Sequence, residues 1–166
     1  MLLDLSKIID MPGASIDFSV SLDLSDLEFG SCAPLKEPVT CSGTVRNTAG
    51  VLMTKGTIRA HLNAVCDRCG EDYEDDLTYP LDVVLVTELA DEDHEDEGIF
   101  PLEGNFADMD EIIRTVFILN MDTKFLCSDD CLGLCCGCGV NLNRESCRCQ
   151  KEIDPRFAAL QQLLNQ

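Results

Sequence analysis

The sequence predicts an α+β fold: a mainly antiparallel β-sheet, curled into a sandwich or open barrel, with one packed helix, a cysteine-rich C-terminal module and a short terminal helix. Three observations carry this. Period-two alternation with turn punctuation runs from about residue 15 to 90, one stretch near 109–120 has helical spacing, and seven of eleven cysteines fall in the last forty residues. At 166 residues the chain can bury one ordinary core and carry a small appended module. The expected division is 1–126, a β-rich domain, and 127–166, the cysteine-rich module with its helix.

The first strand is predicted in IDFSVSLDL (16–24), where Ile16, Phe18, Val20, Leu22 and Leu24 alternate with polar residues. VTCSGTV (39–45) alternates Val39, Cys41, Gly43 and Val45, and NTAG (47–50) reads as a reverse turn into VLMTKGTIRAHLNAVC. In that long run Ile58, Ala60, Leu62 and Ala64 share one face, and Arg59, His61 and Asn63 the other. LTYPLDVVLVTEL (77–89) supplies a further strand, broken or bent at Pro80. Consecutive strands joined by short turns favour antiparallel pairing. An acidic loop, about 90–98, leads to a short extended piece, GIFPLEG. A helix follows over about 109–120, with Asp108 and Glu111 as a capping-box-like start and Ile112, Ile113, Val116, Phe117 and Leu119 at helical spacing. The last thirteen residues close the chain as a short helix, Asp154 capping and Pro155 in its first turn.

Net charge is −19, unevenly spread: between Arg68 and Arg114 there are seventeen acids and no Lys or Arg. Such a run reads first as a solvated loop, and second as a docking segment for a basic partner. Phosphate contacts need cations, so broad-surface binding of RNA is excluded and any nucleic-acid role must be local or indirect. The beginning of the chain lacks the basic start and apolar run of a secretion signal, and no stretch is long and apolar enough to span a membrane. The expected location is therefore the cytoplasm, where clustered thiols serve as metal ligands or redox groups more often than as disulfides.

CDRCG (66–70) and CCGCG (135–139) each carry a CxxC pair followed by glycine, the pattern of a zinc knuckle, in which a tight turn wraps two thiolates around an ion. The C-terminal site is assigned to Cys135, Cys138, Cys147 and Cys149, with eight residues between the inner two. Cys66 and Cys69 then need two more ligands, and Cys127 and Cys131 can supply them if the helix returns its C-terminal end to the sheet near Cys66. An alternative partition gathers Cys127, Cys131, Cys135 and Cys138 around one ion and leaves Cys66/Cys69 as a free dithiol, open to redox chemistry. Against a redox couple stand the five acids of EDYEDDL immediately after it, which disfavour a thiolate. An iron–sulfur cluster would use the same four-thiolate set. Cys41 is read as core, Cys32 as a loop residue and Cys136 as a spare. His61 is read as surface and His94 as part of the acidic run, and Arg144 and Arg148 as ordinary surface charge. No catalytic motif is present; a four-sulfur zinc site is closed to substrate, so the reading is of two structural zinc ions and no small-molecule substrate.

The order of a β-rich half with CDRCG, an acidic stretch, a helix, CSDDCLGLCCGCGVNLNRESCRC and DPRFAALQQLL resembles the bacterial YceD-like large ribosomal RNA subunit accumulation proteins, in the Gram-positive form with the C-terminal cysteine module. Where that family usually has proline after the first cysteine of the second pair, this chain has Cys136. The resemblance implies a role in 23S ribosomal RNA processing or accumulation and in large-subunit assembly, and with no catalytic motif the factor is expected to be non-enzymatic. The implied partners are a large-subunit precursor, through 23S rRNA or a basic ribosomal protein.

Overall fold

A computed structural model describes residues 1–29, 34–87 and 98–149. Cys32, most of the acidic loop with His94, and the terminal helix with Asp154 and Pro155 lie outside the described residues. Its elements are β1 (Leu2–Asp4), α1 (Ser6–Ile9), β2 (Ser15–Leu22), β3 (Val39–Thr48), β4 (Val51–Val65), β5 (Asp72–Val86), β6 (Ile99–Pro101), β7 (Phe106–Asp108) and α2 (Met109–Asn120). The α+β class holds, with the sheet mainly antiparallel. Five strands run in the order β2-β3-β4-β5-β6, and β1 pairs antiparallel with β7 in a small second sheet.

Alternation explains the sheet. Phe18 and Val20, Val39, Cys41 and Val45, Leu52, Ile58, Ala60, Leu62 and Ala64, and Leu81, Val83 and Leu85 are all buried on one face. Helix α2 covers that face with Met109, Ile112, Ile113, Val116 and Phe117, and α1 adds Ile8 to the same core. Asp108 caps α2 as its spacing suggests, its carboxylate accepting the Asp110 N–H at 3.0 Å. Burial raises the Cys41 thiol to about 11, so it is an inert core group.

Two features differ from the expectation. Strand β5 begins at Asp72 rather than residue 77 and passes unbroken through Pro80, opposite Thr57. Val84 N–H donates to Gly98 O at 2.8 Å on the β6 side, so even-numbered residues of β5 turn their main chain away from β4 and the N–H that Pro80 lacks is not needed there. The extended piece after the acidic loop is β6, which pairs with β5 in parallel, Val84 opposite Ile99.

The β3–β4 turn places both Ala49 (φ 55°) and Gly50 (φ 93°) in the left-handed region, a conformation that favours Asn-Gly. Alanine is strained at such a φ. Ala49→Asn is therefore expected to stabilise the fold by about 0.5–1 kcal/mol, read as a higher melting temperature; a lower one would refute the turn assignment.

Candidate metal centres

The first CxxC pair forms the tip of the β4–β5 hairpin. Gly70, at φ 71°, donates its N–H to Cys66 O at 2.8 Å, and Cys66 N–H donates to Glu71 O at 2.8 Å. The second pair repeats this: Gly139, at φ 72°, donates to Cys135 O at 2.9 Å and Cys135 N–H to Val140 O at 2.8 Å. Both glycines stand where a side chain would be strained, which is why each CxxC is followed by one.

The chain leaving α2 returns to the first tip. Asp67 N–H donates to Phe125 O at 2.8 Å and Phe125 N–H to the Asp67 carboxylate at 2.8 Å, a reciprocal clamp. Phe125 is buried against Phe29, edge to face at 6.0 Å. Immediately beyond, Cys127 and Cys131 meet the hairpin cysteines. Arg68 Nη1 holds Cys131 O at 3.0 Å.

The sulfurs of Cys66, Cys69, Cys127 and Cys131 all lie within 4.8 Å of one another, and so do those of Cys135, Cys138, Cys147 and Cys149. Four sulfurs about 2.3 Å from one ion in a tetrahedron stand about 3.8 Å apart, whereas a disulfide would bring a pair to about 2.05 Å. In the first group Cys66–Cys131 is 3.8 Å and Cys69–Cys127 3.7 Å. In the second, Cys135 lies 3.2 Å from Cys147 and 3.8 Å from Cys149, and Cys138 is 4.0 Å from Cys147. The donor sets therefore fit a soft, tetrahedral metal ion. The alternative partition, mixing Cys127 and Cys131 with Cys135 and Cys138, is not the grouping the fold makes.

Protonation points to a cation as well. Burial pushes the Cys66 thiol up, but the amides of Cys127, Cys69 and Arg68 aimed at its sulfur outweigh this and bring it down to about 6. The amides of Cys138 and Gly137 do the same for Cys135, also to about 6. Their neighbours absorb the consequence: Cys127, beside Cys66, and Cys149, beside Cys138, are both pushed up to about 12. Four thiolates can coexist in either group only around a positive ion.

A family model described as Large ribosomal RNA subunit accumulation protein YceD matches residues 54–164, 111 of the 166, with both cysteine groups inside the match. The chain belongs to the YceD family. Among curated relatives of this YceD chain, an Arabidopsis thaliana protein described as Large ribosomal RNA subunit accumulation protein YCED homolog 1, chloroplastic, is 25% identical over 167 residues, 84% of this chain and 50% of its own. A Zea mays protein of the same description is 24% identical over 145 residues, 69% of this chain and 50% of its own. An uncharacterized protein of Mycobacterium tuberculosis is 26% identical over 174 residues, 99% of this chain and 81% of its own. The YceD chain thus spans about half the length of the plant relatives. No solved structure matches it. Among its described residues no helix is long and apolar enough to cross a membrane.

Sequence spacing did not reveal how the two centres are joined. Leu134 N–H donates to Arg68 O at 3.1 Å, and Arg144 pairs with Glu71 at 2.7 Å. Asn143 accepts the Leu132 N–H at 2.7 Å and donates its amide to the Cys131 sulfur at 3.3 Å, so a residue of the second loop touches the first centre. Arg148 pairs with Glu145 at 3.3 Å, so both arginines flanking Cys147 are committed to carboxylates. His61 pairs with Asp76 at 2.8 Å on the exposed face, which raises its pKa and gives it no place at either centre.

Gly137 was also missed. A Cβ on it would stand 2.7 Å from the Cys149 sulfur. Gly137→Ala is accordingly expected to weaken the second centre on the order of tenfold while changing no ligand, read by competition with a chromogenic chelator; equal retention of both ions would contradict it.

Proposed function

We propose that this chain is a non-enzymatic, zinc-binding factor in 23S ribosomal RNA processing or accumulation and in assembly of the large ribosomal subunit. The observation that carries the reading is the family match over 54–164 coinciding with two closed four-cysteine groups. Two zinc ions, one held by Cys66, Cys69, Cys127 and Cys131 and one by Cys135, Cys138, Cys147 and Cys149, act structurally: with all four positions taken by sulfur, neither has a place for substrate. The first ion fastens the 127–166 module to the 1–126 domain, because it takes two ligands from each side. The working partner is a large-subunit precursor, contacted through 23S rRNA or a basic ribosomal protein. With 31 acids against 12 Lys and Arg, the protein contact is favoured over a broad RNA contact.

Affinity capture of the tagged full chain from its own cells, with sequencing of the RNA and identification of the proteins retained, tests this. Enrichment of large-subunit components and a fall in 23S rRNA relative to 16S on depletion are expected; capture of neither subunit's components, with unchanged rRNA, would overturn it. The acidified Cys66 thiol favours a second reading, a thiol- or zinc-dependent redox enzyme using the Cys66/Cys69 dithiol. Metal counting separates them. The structural reading requires about two ions and three thiols outside the centres, eleven minus eight, whereas one ion with five or more reactive thiols belongs to the dithiol reading.

A further inference from the structure

We propose that the outer edge of β5 over Asp72–Thr78 is a docking strip on which an extended, Lys- or Arg-rich segment of a protein partner adds to the sheet as a strand. Strand β5 is paired with β4 from Asp72 to Leu85 in one constant register, from Leu52↔Leu85 to Val65↔Asp72. On its other side β6 reaches only Val84, Leu85 and Val86. The bonds from Val84 N–H to Gly98 O and from Leu102 N–H to Val86 O, both 2.8 Å, show that even-numbered residues face that outer side, and the constant register carries the parity down the strand.

Below Pro80, therefore, Asp72, Glu74, Asp76 and Thr78 present main-chain groups outward, and all four are exposed. Asp76 N–H is held by the Asp75 carboxylate at 2.9 Å. The N–H groups of Asp72, Glu74 and Thr78 and the four carbonyls have no main-chain partner among the described residues, which is the template that strand addition uses.

Charge selects the occupant. Asp72, Glu74 and Asp76 line the exposed face of this edge. On its inner side lies a cleft of about 360 Å³ bounded by Tyr73, Tyr79 and Phe125, with Asp75, Asp122 and Asp129 at its walls and Lys124 as its one cation among the described residues. An added strand turns alternate side chains to the two faces of the sheet. One set would enter the cleft, aliphatic stems on the aromatic rings and cations at the carboxylates, while the other would lie over Glu74 and Asp76. Acids and a proline at an edge deter a second copy of this acidic chain, and so does the like charge of residues 88–97, which hold seven acids in ten positions. The same features admit a cationic strand and repel a phosphate backbone.

The proposal rests on the assembly reading above only for the partner's cellular identity, so the test uses synthetic probes on the metal-loaded full chain. A fluorescent Lys/Val-alternating peptide of about ten residues is expected to bind at low salt, and a Glu/Val peptide and a single-stranded oligouridylate each about tenfold or more weaker. Methylating alternate amides of the basic peptide leaves its charge intact and removes its ladder, and should cost about tenfold. Thr78→Pro, which removes an outward N–H without touching the β4 ladder, should do the same, and Asp75→Asn with Asp122→Asn should weaken binding as well. Equal binding of the methylated peptide would overturn strand addition, and tighter binding of the oligouridylate would overturn the partner class. If the basic peptide binds as expected while affinity capture yields no large-subunit component, the assembly reading fails and the docking strip stands.

Discussion

Cys131→Ser is expected to leave about one ion per chain and to lower stability by about 3–5 kcal/mol, roughly 10 °C in melting temperature for a chain of this size. Cys131 is buried, 3.8 Å from Cys66 across 65 residues of sequence, and its sulfur also receives the Asn143 amide. An ion at its centre would cross-link the β4–β5 tip and the chain leaving α2, and a link that closes a long loop removes more freedom from the unfolded chain than one that closes a short loop. Zinc binding to small structural motifs contributes roughly 10–16 kcal/mol, most of it offset by the ordering of the ligands, so losing one thiolate forfeits the surplus. Cys138→Ser is the internal comparison. Its partners Cys135, Cys147 and Cys149 are only 3, 9 and 11 residues away and half-buried or exposed, so it too should cost one ion, but the sheet should melt within a few degrees of the parent. Elemental analysis together with thermal unfolding checks both variants. Acidification should release the ions from the unsubstituted protein, because protons compete for every thiolate. If Cys131→Ser keeps two ions, or loses one and melts no earlier than Cys138→Ser, the cross-link does not exist.

What could be read beforehand was local. The α2 boundaries were visible because both signals, the Asp108 cap and the spacing of Ile112, Ile113, Val116 and Phe117, lie within one segment. The first half of β5 was hidden: Asp72, Glu74, Asp75 and Asp76 obscure the alternation of Tyr73, Leu77 and Tyr79, and Pro80 reads as a break unless the unpaired side of the strand is known. The parallel pairing of β6 has no local signal at all, since its partner precedes it across the acidic stretch. The grouping of the eight cysteines was legible from CxxC spacing and from the return of α2, because an antiparallel hairpin and a packed helix leave few places for the remaining thiols. Gly137 and Asn143 were not, because what each does depends on a sulfur twelve residues away that only the folded loops bring close.

Asn47→Ala is expected to destabilise the fold by about 2 kcal/mol without releasing either ion. Asn47 is fully buried on the inner face of β3, where alternation would place an apolar residue. Its side-chain amide donates to Ile8 O at 2.7 Å and Ile9 O at 2.6 Å at the end of α1, where Ile8 O also accepts the Met11 N–H at 3.1 Å, and its oxygen accepts the Gly50 N–H at 2.8 Å. Alanine would remove all three bonds, leaving Ile9 O without its partner and Ile8 O with main-chain donors only, while the N–H of exposed Gly50 turns to water; a buried polar group without a partner costs about 1–3 kcal/mol. Asn47→Asp distinguishes lost hydrogen bonds from lost volume. A carboxylate facing two carbonyls is disfavoured, so its folded pKa is raised above the unfolded value. The folded state then binds the extra proton, the penalty is full at neutral pH, and stability recovers as pH falls toward the raised pKa, where the protonated acid can donate to one carbonyl. Thermal unfolding of both variants between neutral pH and the onset of metal release provides the measurement. An Asn47→Asp protein no less stable at pH 7 than in mild acid would show that Asn47 fills space and does not fasten α1 and the β3–β4 turn to the sheet.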